Sequence, residues 1–320
     1  MSFLYFLESI RNPVFDFLFS IITLLGEETV FMAVGMIVFW CFDKYQGYFL
    51  LTTGFWGTVT NQFLKIVCKV PRPWVTDPGF TIVESAREAA TGYSFPSGHT
   101  QSAVGLFGGI ARWNKNTVLR ILCIAACVLV PLSRMYLGVH TPMDVLFAIL
   151  TALIIIFVAY PLYVKATSTP KYMYGLLGAL TAVTLCYLLF VTLFPFSADT
   201  DVNNLLSAQK NGYTLVGCMV GLLLTYFIDE HFIKFPTHAA WWTQIIKVLG
   251  GLAAVLIVKE LFRWPLDAIF GGHLIARAIR YFLMVVVGGI LWPMTFEKLL
   301  KFEKKIKEKI QEKYNKEKQK

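Results

Sequence analysis

The chain has 320 residues, of which 56% are hydrophobic and only 15% are charged, and its formal net charge is +9. Soluble domains carry roughly a quarter of charged residues, so this composition excludes an ordinary soluble protein. A basic charge in so apolar a chain indicates membrane orientation and anionic lipid, so we expect no nucleic-acid partner. Long apolar runs recur along the sequence and predict an all-α, polytopic helical membrane protein.

The first apolar segment, residues 13–25, is short and carries Asp16. It is typical of an amphipathic interfacial helix, although a span that includes the residues before it stays open. About nine transmembrane helices are predicted after it. They lie near 29–43, 46–69, 99–112, 118–134, 141–163, 173–195, 212–229, 243–262 and 279–296.

The charges of the loops predict the orientation of these helices. Basic residues occupy the loops near 112–117 and 164–172 and the tail 298–320. Alternation places these three segments on one side of the membrane, which the excess of positive charge identifies as the cytoplasm. The acidic loop 196–204 and the loop from about 70 to 98 then face outward, so we expect a multi-pass protein of the cell membrane.

Polar residues gather at the outer ends of four predicted helices. Pro71 and Pro73 stop the second helix, which leaves Lys65 and Arg72 near its outer end. The third helix begins outside and the fourth returns there, and the fifth begins again at that face. The topology therefore brings together Lys65, Arg72, Ser97, Gly98, His99, Arg134, His140 and Asp144.

This set of residue types suits a phosphate group. Lysine and arginine neutralise phosphate oxygens, and a helix N-terminus that begins at Gly98 offers backbone N–H groups to an anion. Two histidines allow one nucleophile and one proton donor. No cluster of carboxylates indicates a divalent metal, so we expect neither a metal nor another cofactor.

Each of these residues also has a simpler interpretation when it is taken alone. Thr141 and Asp144 make a good helix start, and Ser97 is a typical helix cap. Lys65 and Arg72 are typical interfacial anchors. The joint pattern favours the phosphate site, and capping by Asp144 is compatible with a role beside His140.

Three motifs appear in a fixed order along the chain: K-x6-RP at 65–73, PSGH at 96–99 and SR-x5-H-x3-D at 133–144. On these motifs the sequence resembles the type 2 phosphatidic acid phosphatase superfamily, which also includes glucose-6-phosphatase and the vanadium haloperoxidases. The resemblance covers roughly residues 13–163 and implies a helical-bundle phosphatase core. The remaining half resembles, more weakly, the extended half of multi-span bacterial members.

The resemblance implies a mechanism without metal. His140 would attack phosphorus and form a phosphohistidine, Asp144 would orient His140, and His99 would protonate the leaving group. The phosphoryl oxygens would be held by Lys65, Arg72, Ser97, Gly98 and Arg134.

A second basic cluster follows in the C-terminal half. It is expected near the outer ends of the last two helices and comprises Lys259, Arg263, His273, Arg277 and Arg280. A substrate entrance or a second headgroup contact is one interpretation, and interfacial anchoring beside Trp264 is the other.

The sequence thus predicts a lipid phosphatase core at 1–165, additional transmembrane helices at 166–297 and a basic cytoplasmic tail at 298–320. The expected substrate is a phosphorylated lipid of the outer leaflet, such as undecaprenyl diphosphate, phosphatidylglycerophosphate or phosphatidic acid. A hydrolase of soluble phosphoesters and a phospholipid or phosphate transporter stay open as alternatives.

Overall fold

A computed structural model describes residues 1–88, 90–197 and 200–319. Ala89, Ala198, Asp199 and Lys320, which belong to the predicted outer loops and to the tail, lie outside the described residues. The described residues form helices and connecting loops without any strand, as the composition predicts. Two compact units are present, one of residues 1–35 and 45–216, the other of residues 36–44 and 217–320.

Helices form at all nine predicted positions within the described ranges. In chain order the α-helices are α1 Ser2–Ser9, α2 Pro13–Leu24, α3 Glu28–Cys41, α4 Lys44–Cys68, α5 Pro73–Thr76, α6 Gly98–Ala103, α7 Gly109–Trp113, α8 Thr117–Tyr136, α9 Pro142–Ala166, α10 Pro170–Leu193, α11 Val202–Ile228, α12 Trp241–Leu261, α13 Arg263–Ile269, α14 Ile275–Val286 and α15 Phe296–Lys318. Short π-helical turns follow α6, α11 and α14 at Val104–Gly108, Asp229–Ile233 and Val287–Leu291.

The predicted number of nine spans is not confirmed. Within the described residues, five helical segments are long and apolar enough to cross a membrane, or six if α2 and α3, bent by 46°, form one broken span. Helices α3 and α4 show why a predicted span fails this criterion: the first is too short and the second is too polar. Helix α3 has 14 residues, which is about 21 Å at 1.5 Å per residue and is shorter than a bilayer core. Helix α4 has 25 residues but carries buried polar side chains such as Gln46 and Asn61.

Helices α6, α8 and α9 pack on one another in the first unit. Helices α1 and α2 pack on α8, and α10 packs on α9. The local sequence sets the helix ends: Asn12 caps α2 and Asn116 caps α8 through their side-chain oxygens. Helix α9 begins with a capping box between Thr141 and Asp144, with Pro142 in its first turn. These starts and stops bring the three motifs to one end of the α6–α8–α9 bundle.

In the second unit, α12 packs against α13, α14 and α15. Lys247 of α12 is fully buried, and its ammonium donates to the carbonyls of Trp40, Pro236 and Thr237 at 2.8 to 3.1 Å. Glu303 of α15 accepts hydrogen bonds from Ala240 N and Thr243 Oγ1. These contacts satisfy the buried charges of Lys247 and Glu303, as burial requires.

Candidate active site

The first unit contains a polar cavity of about 220 Å³. Six of the residues predicted from the motifs line it: Lys65, Arg72, Gly98, His99, Arg134 and His140. The other two, Ser97 and Asp144, are buried next to Gly98 and His140. The structure thus brings together the whole set that the topology predicted.

His140 and Asp144 are almost fully buried and face each other across one turn. His140 Nδ1 lies 3.5 Å from Asp144 Oδ2. The same Oδ2 atom accepts a hydrogen bond of 2.6 Å from Ser94 Oγ and one of 2.7 Å from Thr141 N. Asp144 is therefore both a helix cap and the carboxylate beside the histidine, as the sequence suggested.

The tautomer of His140 follows from its other neighbour. Arg72 Nη1 lies 3.0 Å from His140 Nε2. Because a guanidinium can only donate, Nε2 accepts this hydrogen bond and the ring proton sits on Nδ1, toward Asp144 and Ser94. Burial, followed by the charges of Arg72 and Arg134, holds the pKa of His140 well below its ordinary value. Nε2 is therefore unprotonated at neutral pH, and its electron pair accepts the hydrogen bond from Arg72.

Arg72 is held by three backbone carbonyls. Its guanidinium donates to Thr91 O at 2.7 Å, Val139 O at 2.9 Å and Gly92 O at 3.2 Å. Burial lowers the pKa of Arg72 to about 10, so the side chain stays charged at neutral pH. The loop before the PSGH motif and the turn before His140 thus fix this cation beside the nucleophilic nitrogen.

Lys65 and Arg134 complete the basic lining. Lys65 Nζ donates to the carbonyl of Tyr93. Arg134 Nη1 donates to Thr23 Oγ1 at 2.7 Å, and Arg134 Nε is buried with no hydrogen-bond partner among the described residues. A buried donor without a partner is costly, so the guanidinium of Arg134 is incompletely satisfied beside the cavity.

The PSGH motif forms the start of α6. Ser97 Oγ accepts a hydrogen bond from Thr100 N at 3.4 Å, and Ser97 N donates to Asp144 O at 3.1 Å. The hydroxyl of Ser97 is therefore a helix cap, while Gly98 and His99 reach the cavity. Gly26, between α2 and α3, lies so close that a β-carbon there would stand 2.8 Å from His99 O.

The motifs did not reveal several residues of the site. Ser94 and Thr23 contact Asp144 and Arg134 from distant parts of the chain, and no local pattern marks them. Other lining residues outside the predicted set are Gly26, Glu28, Gln62, Thr91, Ser102, Ser207 and Asn211. Ser207 and Asn211 are four residues apart and so share one face of α11, and this spacing was an available signal.

The second basic cluster belongs to the other unit. Arg263 lies at the start of α13, and Arg277 and Arg280 lie on α14, with both guanidiniums within 6 Å of the Tyr281 ring. His273 Nδ1 accepts a hydrogen bond from Ile275 N at 3.1 Å. The interpretation of this cluster as a substrate entrance stays a prediction.

Comparison with known families matches both halves of the chain. The PAP2 superfamily matches residues 44–168, and the family described as PAP2 superfamily phosphatase, transmembrane extension, matches residues 213–305. The first match contains all three motifs and every predicted site residue of the cavity. The second match covers most of α11 and all of α12, α13 and α14, which carry no catalytic motif.

Named relatives are similar to this chain at low identity. Human sphingosine-1-phosphate phosphatase 2 is 23% identical over 270 residues, which cover 81% of this chain and 63% of the relative. Undecaprenyl-diphosphatase BcrC of Bacillus subtilis (strain 168) is 30% identical over 155 residues, which cover 47% of this chain and 76% of the relative.

A probable sphingosine-1-phosphate phosphatase of Dictyostelium discoideum is 31% identical over 160 residues, 46% of this chain and 38% of the relative. No solved structure matches the chain. The two family matches, the ordered motifs and the coverage of the Bacillus relative agree with one another. This multi-pass membrane protein belongs to the PAP2 superfamily and carries the transmembrane extension of its phosphatases.

Proposed function

We propose that the protein is a metal-independent lipid phosphatase that works through a phosphohistidine. The observation that carries this proposal is the position of His140 Nε2, a buried acceptor on the wall of a cavity that Lys65, Arg72 and Arg134 also line. A tetrahedral phosphoryl group beside Nε2 would meet positive charge from three separate segments. Such fixed charge stabilises phosphoryl transfer without a metal ion.

In the first step, the electron pair of Nε2 forms a bond to phosphorus while the bond from phosphorus to the leaving oxygen breaks. His99 must enter this step as the imidazolium; it gives one proton to that oxygen and becomes neutral, and an alcohol or a phosphate departs. Nδ1 keeps its hydrogen, which faces Ser94 Oγ, and the carboxylate of Asp144, 3.5 Å from Nδ1, stabilises the positive charge that develops on the ring. The phosphoryl oxygens take hydrogen bonds from the cations and from the Gly98 amide, and Ser97 can still donate its hydroxyl proton to one of them.

In the second step, water attacks the phosphohistidine. Neutral His99 takes a proton from the water, the new oxygen–phosphorus bond forms, and the bond between Nε2 and phosphorus breaks. Inorganic phosphate leaves, and His140 and His99 return to their starting states. Water and phosphoester are consumed in equal amounts.

The substrate is proposed to be a phosphate monoester or a diphosphate of a membrane lipid. The names of the relatives, sphingosine-1-phosphate phosphatase and undecaprenyl-diphosphatase, support this class. Undecaprenyl diphosphate, phosphatidylglycerophosphate and phosphatidic acid therefore belong in the first panel. The charges of the loops support a site at the outer leaflet with the tail of α15 in the cytoplasm. The proposal also keeps the predicted division of the chain into a phosphatase core at 1–165, additional transmembrane helices at 166–297 and a tail at 298–320.

The test is phosphate release by the full chain in detergent, with EDTA, from lipid and soluble phosphates in parallel. We expect chelator-resistant release from lipids that is lost in His140→Ala and retained in His238→Ala, an exposed histidine of the other unit. Quenching the reaction of the unmodified chain with a radiolabelled substrate in alkaline detergent should trap a phosphoprotein that is stable in base and labile in acid, and His140→Ala should not form it. Absence of release from every phosphate by folded protein would contradict the proposal, and preference for soluble esters would replace the lipid substrate.

A further inference from the structure

A short turn joins two residues of the candidate active site. Arg134 lies in the last turn of α8, which ends at Tyr136, and His140 follows shortly after it. We call residues 136–139 the catalytic turn. Gly138 in this turn has a φ of +81°, which glycine adopts readily and other residues rarely. The conformation of the catalytic turn therefore sets the position of His140 relative to Arg134.

Two arginines hold the two ends of the catalytic turn. At its end, Arg72 Nη1 donates to Val139 O at 2.9 Å and lies 3.0 Å from His140 Nε2. At its start, Arg11 Nε donates to Tyr136 O at 3.0 Å. This carbonyl belongs to the last turn of α8, where carbonyls lack an N–H partner within the helix. The contact from Arg11 satisfies it from a distant part of the chain.

Arg11 lies in the connection between α1 and α2, and only 11% of its side chain is exposed. Its Nη1 donates to Thr81 O at 2.9 Å and to Thr81 Oγ1 at 3.1 Å. A β-carbon at Gly138 would stand 2.7 Å from Arg11 Nη2 and 3.0 Å from Thr81 O, so the catalytic turn packs directly on the guanidinium. Arg11 therefore bridges the loop at Thr81 and the catalytic turn.

The residues that follow Arg11 hold the side chain of Tyr136 as well. Tyr136 OH donates to Asp16 Oδ1 at 2.8 Å and accepts from Asn12 N at 3.3 Å. The rings of Tyr136 and Phe19 have their centroids 4.3 Å apart. These partners all precede the superfamily match, which begins at residue 44. The N-terminal segment thus fixes both the backbone and the side chain at the start of the catalytic turn.

We propose that Arg11 is a positioning residue that holds the catalytic turn and thereby keeps His140 Nε2 aimed at the phosphoryl group. Arg11 does not line the cavity, so it acts through the turn and touches neither the phosphate nor the leaving group. Loss of Arg11 leaves Tyr136 O without its charged donor, and the glycine in the turn then permits a shift of the backbone. This inference rests on the proposed phosphatase function and adds a residue that the motifs do not mark.

The test measures the chemical step separately from binding and from stability. The full chain in detergent, in excess, is mixed with a lipid phosphate labelled at the phosphorus that is transferred, and alkaline quenching follows formation of the phosphoprotein. The substrate is whichever of undecaprenyl diphosphate, phosphatidylglycerophosphate and phosphatidic acid the unmodified chain hydrolyses fastest. KM and the melting temperature are measured beside it, and rates are compared below the melting transition of every variant.

Arg11→Met keeps a long side chain but removes its donors. We expect phosphoprotein formation to slow by about tenfold or more with little change in KM, because a shift near 1 Å of a reacting group can cost 100-fold. Arg11→Lys, which keeps one charged donor, should recover part of the rate. Arg120→Met removes an exposed arginine at the opposite end of α8 and is the matched control, which should keep the full rate.

An unchanged rate with a lower melting temperature in Arg11→Met would make Arg11 a purely structural residue and overturn the proposal. A raised KM at an unchanged rate would overturn it too. If Arg11→Met does not fold, Tyr136→Phe decides, because it removes the contacts with Asn12 and Asp16. We expect a slower rate in this variant as well, and an unchanged rate would overturn positioning by the N-terminal segment. Each of these results leaves the phosphatase proposal standing, whereas no hydrolysis by the folded, unmodified chain would overturn both.

Discussion

Ser94 Oγ donates a hydrogen bond of 2.6 Å to Asp144 Oδ2 and lies 3.4 Å from His140 Nδ1. The hydroxyl thus lies beside both members of the pair, which are 3.5 Å apart at their nearest atoms. Ser94 is fully buried, and it is separated from Asp144 by 50 positions in the sequence. We infer that Ser94 is a positioning residue that holds the carboxylate against the histidine.

Ser94→Ala should therefore lower kcat by about 10- to 100-fold, because a buried hydrogen bond to a charged group contributes about 1.5–3 kcal/mol. KM should change little, since Ser94 does not line the cavity. Ser94→Thr, which keeps the hydroxyl, should recover part of the rate. Steady-state kinetics on the preferred lipid phosphate gives both constants, and an unchanged kcat in Ser94→Ala would remove Ser94 from the mechanism.

The hydrogen bond from Arg134 to Thr23 links the phosphate site to α2, which precedes the region of the superfamily match. Thr23→Val keeps the shape of the side chain but removes the acceptor of Arg134 Nη1. We expect weaker binding of the phosphoryl group, seen as an increase of about 3- to 10-fold in KM and in the inhibition constant of orthovanadate. Thr29→Val, an exposed position of α3, is the control; equal inhibition constants in the two variants would contradict this role.

Gly26 permits the close approach of the α2–α3 turn to the start of α6. An added β-carbon would stand 2.8 Å from both His99 O and Val130 Cγ1, which is closer than van der Waals contact permits. Gly26→Ala should displace His99 and reduce kcat by about tenfold or more, because a shift near 1 Å in a reacting group can cost 100-fold. Gly175→Ala in α10 has open space within 4 Å and should retain full activity. Full activity of Gly26→Ala would show that the turn adapts without moving His99.

The lowered pKa of His140 predicts the acid side of the pH profile. Protonation of Nε2 removes the nucleophile, and a lowered pKa moves that protonation to lower pH. An ordinary histidine, with a pKa of about 6.5, would be mostly protonated at pH 6. After correction for the second ionisation of the substrate, protonation of His140 should therefore cause no fall in kcat/KM between pH 7 and 6. Arg72→Gln removes a positive charge that lowers the pKa of His140, so the residual activity of this variant should decline at a higher pH than the activity of the unmodified protein. A decline near pH 6.5 in both proteins would contradict the lowered pKa of His140.

The pair of Lys44 and Asp229 stabilises the second unit. Lys44 Nζ lies 2.8 and 2.9 Å from the two carboxylate oxygens of Asp229, and Phe235 N donates to Asp229 Oδ1 at 3.2 Å. Asp229→Asn leaves a mostly buried ammonium without its counter-charge, which costs about 3 kcal/mol, so the thermal melting temperature in detergent should fall by several degrees. Glu297→Gln breaks an exposed ion pair with Lys301 and should change the melting temperature little. Equal melting temperatures for both variants would contradict the stabilising role.

The sequence by itself determined the positions of the helices and six of the residues that line the polar cavity. Apolar runs, prolines and capping residues act over a few neighbouring positions, so the starts of α6 and α9 and the end of α4 could be predicted locally. Alternation of the helices across the membrane then placed Lys65, His99 and His140 at one face. The number of transmembrane spans could not be predicted from such local signals. Whether a short helix such as α3 or a polar helix such as α4 crosses the membrane depends on the helices that pack against it.

Only the tertiary structure decided which residues support and shape that cavity. Thr23 and Ser94 contact Arg134 and Asp144 from segments far away in the chain, and such contacts leave no periodic or local pattern in the sequence. Even Ser97, correctly placed by its motif, has its hydroxyl engaged as the cap of α6. A motif specifies which groups meet, whereas the partners of their individual atoms depend on how distant helices pack.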